Sequence, residues 1–95
     1  MGYAMTTEVL PDVDTKKSLM PMYRVIIHND DVNSMEHVIE VLQEVFKFEF
    51  EACLAIMLEA HKTGCALCKI EPLEPAELHM EMLQACSLTA TIEPE

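Results

Sequence analysis

The sequence is poor in glycine and in long apolar runs, and each shortage excludes a class of function. Only two glycines occur in 95 residues, so the chain has no glycine-rich loop that could cradle a nucleotide phosphate. No run approaches the ~20 consecutive apolar residues that a membrane-spanning helix needs. The first twenty residues hold no continuous apolar segment of the secretory type. We therefore expect an intracellular protein of one compact domain, without a membrane segment.

Basic residues are also scarce. Six lysines and arginines stand against 17 aspartates and glutamates, which gives a formal net charge of −11. A nucleic acid would be repelled by this charge, because its binding depends on cations that neutralise the phosphates. The acidic surface suits a cationic ligand or partner, or it simply keeps the protein in solution.

Nothing in the chain has the pattern of an active site. No serine or cysteine nucleophile stands at a recognisable spacing from a matched base, and the carboxylates gather on one turn instead of flanking a cleft. The four cysteines, at positions 53, 65, 68 and 86, are expected to be reduced thiols in a reducing compartment. We predict a protein that is not an enzyme and that holds no metal or cofactor.

Composition divides the chain into two regions. Residues 1–20 mix polar and charged side chains without helical or strand periodicity, which predicts a flexible N-terminal extension. Residues 21–95 form the predicted domain, with strands at 23–28, 66–71 and 88–92 and helices beginning near residues 35, 49 and 74. The order β-α-α-β-α-β predicts an α+β fold, in which three helices cover a small three-stranded antiparallel sheet.

Two helix ends carry signals of their own. Asn33, followed three positions later by Glu36, is a possible capping box for the first helix. Gly64 follows the last periodic residue of the second helix and predicts its C-terminal stop.

A polar cluster follows the first strand. Asn29, Asp30 and Asp31 can present an amide oxygen and two carboxylates from one turn. An α-ammonium group is a cation with three N–H donors, and it is held where several acceptors converge. The same residues are equally typical of a turn that merely ends a strand.

A histidine at the end of the second helix is a further candidate. His61 lies one turn beyond Met57 and shares a helical face with it and with Ala60. Its imidazole could add a contact to an ammonium group while Met57 lines a cavity. It could also do no more than complement the negative end of the helix dipole.

Several segments together resemble the ClpS adaptor family. They are Tyr23–Asp31 (YRVIIHNDD), Met35–Val38 (MEHV), Val41–Gln43 (VLQ) and Ile56–Gly64 (IMLEAHKTG). Their order and spacing are more specific than any one of them, and the similarity covers residues 21–93. The resemblance implies an adaptor that binds N-degrons, which are free amino termini beginning with a bulky hydrophobic residue. The adaptor would deliver such substrates to a Clp AAA+ protease.

The resemblance also implies a role for each site residue. Three positions match the family residues that hydrogen-bond the α-amino group, namely Asn29, Asp31 and His61, and Asp30 adds negative potential beside them. Met35 matches the methionine that gates the specificity pocket. The apolar wall of that pocket is implied at Val38, Met57, Ala60 and Leu88.

The implied partner is the N-terminal domain of a Clp unfoldase of the ClpA or ClpC type. It would dock on a surface that includes Glu74, Glu77 and His79, in the cytoplasm or, for a plant protein, in the plastid stroma. Two departures from the family pattern bear on these roles. Ala60 replaces the common valine and is expected to enlarge the pocket, and His79 replaces the usual lysine on the docking surface.

Two other functions remain open from the sequence. His61, Cys65 and Cys68 place an imidazole and two thiols within eight positions, and the Cys-x-x-Cys pair is a common half of a zinc site or a redox pair. An acidic scaffold protein that binds partner helices through a methionine-rich face is the other alternative, suggested by eight methionines.

Overall fold

The computed structural model describes residues 20–95. The chain forms β1 (Met22–His28), α1 (Met35–Phe46), α2 (Phe50–Thr63), β2 (Cys65–Pro72), α3 (Leu73–Ala85) and β3 (Thr89–Pro94). This order is the predicted one. β1 lies between β2 and β3 and is antiparallel to both, so the predicted α+β fold is confirmed. The predicted extension over residues 1–20 lies, apart from Met20, outside the described residues.

The sheet buries alternate residues, as strand geometry requires. Val25 and Ile27 of β1 are 0% and 3% exposed. They pack in one core with buried residues of all three helices, such as Leu42, Cys53 and Leu83. The alternating residues of β1 lie on the other face, where Arg24 forms an ion pair with Glu93 at 3.2 Å. The longest helix in residues 20–95 has 14 residues, and none there is long and apolar enough to cross a membrane.

The caps of α1 and α2 test the two predicted signals. Ser34 caps α1, and its hydroxyl oxygen accepts a hydrogen bond from the backbone N–H of His37 at 3.1 Å. The predicted capping box at Asn33 is therefore wrong, because the Asn33 side chain bonds to other groups. Gly64 ends α2 as predicted, with a left-handed φ of 99° and its N–H bonded to Ala60 O at 2.9 Å.

A tight turn joins α3 to β3. Ser87 has a left-handed φ of 75°, and its N–H bonds to the carbonyl of Gln84 at 2.9 Å. The N–H of Leu88 bonds to the carbonyl of Leu83 at 3.1 Å. This pair of bonds is the Schellman arrangement, in which the residue after the left-handed position packs back on the helix. Leu88 is accordingly buried, with 6% of its surface exposed.

Candidate functional site

A cavity of about 290 Å³ opens where β1 ends. Its lining includes the four residues that the sequence assigned to α-amino binding, which are Asn29, Asp30, Asp31 and His61. It also includes the five residues assigned to the specificity pocket, which are Met35, Val38, Met57, Ala60 and Leu88. The fold thus brings both predicted groups, which come from distant parts of the chain, around a single cavity.

A backbone hydrogen bond brings the two polar segments together. The N–H of Asn29, the first residue after β1, donates to the carbonyl of Gly64 at 2.9 Å. Gly64 is the left-handed cap of α2, and His61 lies in the last turn of that helix. The turn after β1 is therefore fixed beside the end of α2 that carries the imidazole.

Exposure changes from the rim of the cavity to its floor. Asn29, Asp31 and His61 are exposed at the rim, where Met35 also keeps 46% of its surface exposed. Met57, Ala60 and Leu88 form the floor and are only 5%, 4% and 6% exposed. Such a cavity can hold a ligand with a polar head and an apolar side chain.

The rim is negative. Two aspartates line the cavity, and no lysine or arginine does so among the described residues. In residues 20–95, the side chains of Asn29 and Asp31 make no hydrogen bond, whereas Asp30 between them makes several. The amide oxygen of Asn29 and the carboxylate of Asp31 are therefore free to accept hydrogen bonds from a ligand.

Asp30 holds the turn itself. Its Oδ1 accepts hydrogen bonds from the backbone N–H groups of Val32 and Asn33 at 3.0 and 3.1 Å, and its Oδ2 accepts one from the hydroxyl of Thr89 at 3.3 Å. Burial by itself would raise the pKa of this carboxyl, but the hydrogen bonds from Asn33, Val32 and Thr89 outweigh it and lower the pKa. Asp30 is thus a structural residue that also places a negative charge at the rim.

Two residues of this region were missed from the sequence. The Asn33 side chain donates to both carboxylate oxygens of Asp30 at 3.1 Å and to the carbonyl of Ser87 at 2.8 Å. Nε2 of His37 lies 2.9 Å from the carbonyl of Cys86. The bond to Asp30 is local, but nothing in the local sequence could reveal the bonds to Cys86 and Ser87, which lie 49 positions from His37 and 54 from Asn33.

The three predicted docking residues do not share one face of α3. Glu74 and Glu77 are exposed. His79 lies on the inner side, where its Nδ1 is 2.5 Å from Oε2 of Glu71 and its ring centroid is 4.8 Å from that of Phe46. The two glutamates are thus accessible to a partner, whereas the His79 side chain is 19% exposed.

The alternative site at His61, Cys65 and Cys68 is not supported. Cys65 is exposed and Cys68 is buried, because residues three apart on a strand point to opposite faces. Burial raises the pKa of the Cys68 thiol to about 12, whereas a reactive thiol must be a thiolate. Within residues 20–95, no group of three or more histidine, cysteine, aspartate or glutamate side chains could hold a metal ion.

Comparison with known proteins gives matches over most of the chain. Residues 18–91 match the family model described as ATP-dependent Clp protease adaptor protein ClpS. The adapter protein ClpS of Synechococcus sp. (strain CC9902) is 42% identical over 95 residues, which cover 99% of this chain and 89% of the relative. A chloroplastic relative, CLPS1 of Chlamydomonas reinhardtii, is 37% identical over 94% of this chain and 56% of its own length.

A solved structure shares the fold. The structure of Agrobacterium tumefaciens ClpS2 bound to L-phenylalaninamide superposes with a TM-score of 0.75 at 30% identity. It covers 79% of this chain and 98% of the Agrobacterium chain. The family is one of adaptors and not of enzymes, and its relatives occur in bacteria and in a chloroplast. The chain belongs to the ClpS family of ATP-dependent Clp protease adaptor proteins.

Proposed function

We propose that this adaptor captures N-degrons, by binding the free α-amino group and the bulky first side chain of a substrate protein in the cavity at the end of β1. It then delivers the substrate to the N-terminal domain of a ClpA- or ClpC-type unfoldase, in the cytoplasm or in the plastid stroma. The observation that carries the proposal is the single cavity with an exposed, negative rim and a buried, apolar floor.

The rim suits an ammonium group. In the proposed complex the three N–H donors of the α-ammonium bond to the Asn29 amide oxygen, to the Asp31 carboxylate and to a neutral His61 ring nitrogen. Hydrogen bonds to charged groups contribute about 1.5–3 kcal/mol each. Asp30 remains bonded to its own turn, and its charge adds negative potential.

The floor suits an apolar side chain. Met57, Ala60 and Leu88, with the half-buried Val38 beside them, form a surface that gains roughly 25 cal/mol for each Å² of apolar area removed from water. Met35 at the rim acts as the gate, because a long unbranched side chain obstructs first residues branched at the β-carbon. The ligand of the Agrobacterium relative, L-phenylalaninamide, has both features, a free amino group and an aromatic side chain.

Delivery is proposed to use the outer face of α3. Glu74 and Glu77 are exposed there and are available to cationic groups of the unfoldase. His79, whose side chain is only 19% exposed, supports this surface from within by pairing with Glu71. Membership in a family of Clp protease adaptors supports the assignment of a Clp partner.

Acetylation of the peptide's amino terminus tests capture. It removes the positive charge and two donors, so we expect a C-terminally labelled Phe-initiated peptide to lose at least about 100-fold in affinity, as judged from several kcal/mol of lost hydrogen bonding. Fluorescence anisotropy measures both peptides. Equal affinities for the free and the acetylated peptide would refute capture of the amino end.

The double substitution Glu74→Gln with Glu77→Gln tests delivery. It removes two exposed charges outside the cavity, so peptide affinity should not change, while degradation of an N-degron substrate by the Clp protease should slow. Unchanged degradation at limiting adaptor concentration would remove these glutamates from the docking surface.

A further inference from the structure

We propose that Asn33 is a positioning residue. Its side-chain amide holds the α3–β3 turn against the turn after β1 and so fixes Leu88 in the floor of the cavity. The set of hydrogen bonds made by Asn33 and His37 to this turn is called the latch. The inference rests on the proposed function, since it assigns the latch to selection of the first side chain.

The geometry around Asn33 leaves one orientation for its amide. Nδ2 faces three acceptors, which are the two carboxylate oxygens of Asp30 at 3.1 Å and the carbonyl oxygen of Ser87 at 2.8 Å. A carbonyl and a carboxylate can only accept, so the nitrogen and not the amide oxygen must face them. Both N–H groups are therefore occupied, and they join the segment that carries Asp31 to the segment that carries Leu88.

Two further bonds reach the same turn. Nε2 of His37 is 2.9 Å from the carbonyl oxygen of Cys86, so this ring nitrogen must carry the proton and donate. The hydroxyl of Thr89 donates to Asp30 at 3.3 Å. Cys86 and Ser87 of the turn and Thr89, the first residue of β3, are thus tied to the polar segment before α1 and to its first turn.

Leu88 is the residue enclosed by these ties. It lines the cavity and is 6% exposed, but it follows Ser87, whose φ of 75° lies in the left-handed region. A serine there is less favourable than glycine, so bonds from outside the turn add to its own Schellman bonds in keeping one conformation. The latch provides these outside bonds. Through Asn33 it is also connected to the carboxylate of Asp30, which holds the turn at the rim.

Gln84 provides a matched control. Its side-chain amide also donates to a backbone carbonyl across the α3–β3 junction, that of Ala90 at 3.0 Å. Neither Gln84 nor Ala90 lines the cavity, whereas Asn33 does, so the effect of Asn33 through Leu88 is separated from a direct contact by the Leu88 methyl spectra described below. Loss of this bond weakens the junction with the same chemistry, but it leaves the ties around Leu88 in place.

The experiment compares Asn33→Leu, His37→Leu and Gln84→Leu with the wild-type protein. Affinities are measured for peptides that differ only in their first residue, which is Leu, Phe, Tyr or Val. We define the spread as the ratio of affinities between the tightest- and the weakest-binding peptide. We expect Asn33→Leu to reduce this spread by about tenfold, which is the effect of one or two displaced methyl groups in such a pocket. His37→Leu should narrow it less, and Gln84→Leu should leave it unchanged.

The spread separates positioning from mere stability. A partly unfolded variant loses the same fraction of binding sites for every peptide, so its spread stays constant. Asn33→Thr keeps one donor and should restore part of the selectivity. An unchanged spread in both Asn33→Leu and His37→Leu, with folded protein confirmed by circular dichroism, would overturn the proposal.

A measurement without peptide distinguishes this proposal from the proposed function. The methyl groups of Leu88 should show one rotamer by NMR in wild type and in Gln84→Leu, and averaged rotamers in Asn33→Leu. If wild type bound free and acetylated peptides equally, capture would be refuted while the methyl spectra still decided whether the latch holds Leu88. Unaltered Leu88 methyl signals in Asn33→Leu would overturn the latch by themselves.

Discussion

Asp31 and Glu71 show two opposite ways in which this chain places a carboxylate. Asp31 is exposed at the rim of the cavity and has no hydrogen-bond partner within residues 20–95. Glu71 is 5% exposed, and it is held by Nδ1 of His79 at 2.5 Å and Nζ of Lys69 at 3.7 Å. A buried charge requires a partner within the protein, whereas an exposed charge is solvated by water and can pair with a ligand when one binds. The comparison therefore separates groups that hold the framework from groups that are available to bind.

The largest effect is expected from breaking the buried pair. His79→Ala leaves Glu71 buried with only the more distant Lys69, so the free energy of unfolding should fall by about 3 kcal/mol. Urea denaturation measures the change. The double variant Glu71→Leu with His79→Leu removes the uncompensated charge and should recover most of the stability. A loss in the single variant no larger than in the double one would show that the pair is dispensable.

Asp31→Asn tests the exposed carboxylate at the rim of the cavity. The substitution keeps the shape and removes the charge, so affinity for a Phe-initiated peptide should fall about 10- to 100-fold, which corresponds to about 1.5–3 kcal/mol. Stability should stay within about 0.5 kcal/mol of wild type, because the side chain is exposed and bonds to no other residue in 20–95. A large loss of stability with intact binding would reverse the assignment of Asp31.

Ala60→Val tests the floor of the cavity. Ala60 is 4% exposed, and two added methyl groups narrow the space beside Met57. The affinity ratio of Phe- to Leu-initiated peptides should shift towards Leu by about tenfold, within the range for one or two methyl groups in a pocket. Anisotropy titrations with both peptides measure the ratio, and an unchanged ratio would show that Ala60 does not shape the pocket.

The smallest effect is expected at Asp30, which both holds the turn after β1 and places a negative charge at the rim. Its pKa is lowered from its ordinary 3.8, so its ionised form stabilises the folded state above pH 3.8, and this contribution is lost as the pH falls through the lowered pKa. The stability difference between wild type and Asp30→Asn, about 1 kcal/mol near neutral pH, should shrink on acidification. Denaturation curves between pH 2.5 and 6 check the trend, and a gap that widens at low pH would contradict it.

The sequence predicted the fold where local patterns determine it. The order of strands and helices and the stop at Gly64 follow from periodicity and from one glycine, and both are confirmed. The roles at the cavity came from the resemblance, and the structure adds that these residues surround one space.

The error at Asn33 occurs where a distant partner decides. Asn33 is of a residue type that often caps helices, but its amide bonds to Ser87, 54 positions away. His79 was assigned to the docking surface by the resemblance, and the structure adds that its side chain is 19% exposed and pairs with Glu71. The buried Glu71 that draws His79 inward cannot be recognised from the sequence around either residue.

The contrast between Cys65 and Cys68 offers a practical probe for this protein. Cys65 is exposed and directly follows Gly64, whose carbonyl accepts the hydrogen bond from Asn29. Cys53 and Cys68 are buried, and burial raises the pKa of both thiols, so a maleimide dye should react with Cys65 long before it reaches either of them. With the partly exposed Cys86 replaced by alanine, such a fluorophore in a chain without tryptophan would lie beside the rim and report, in real time, how fast a peptide binds and dissociates.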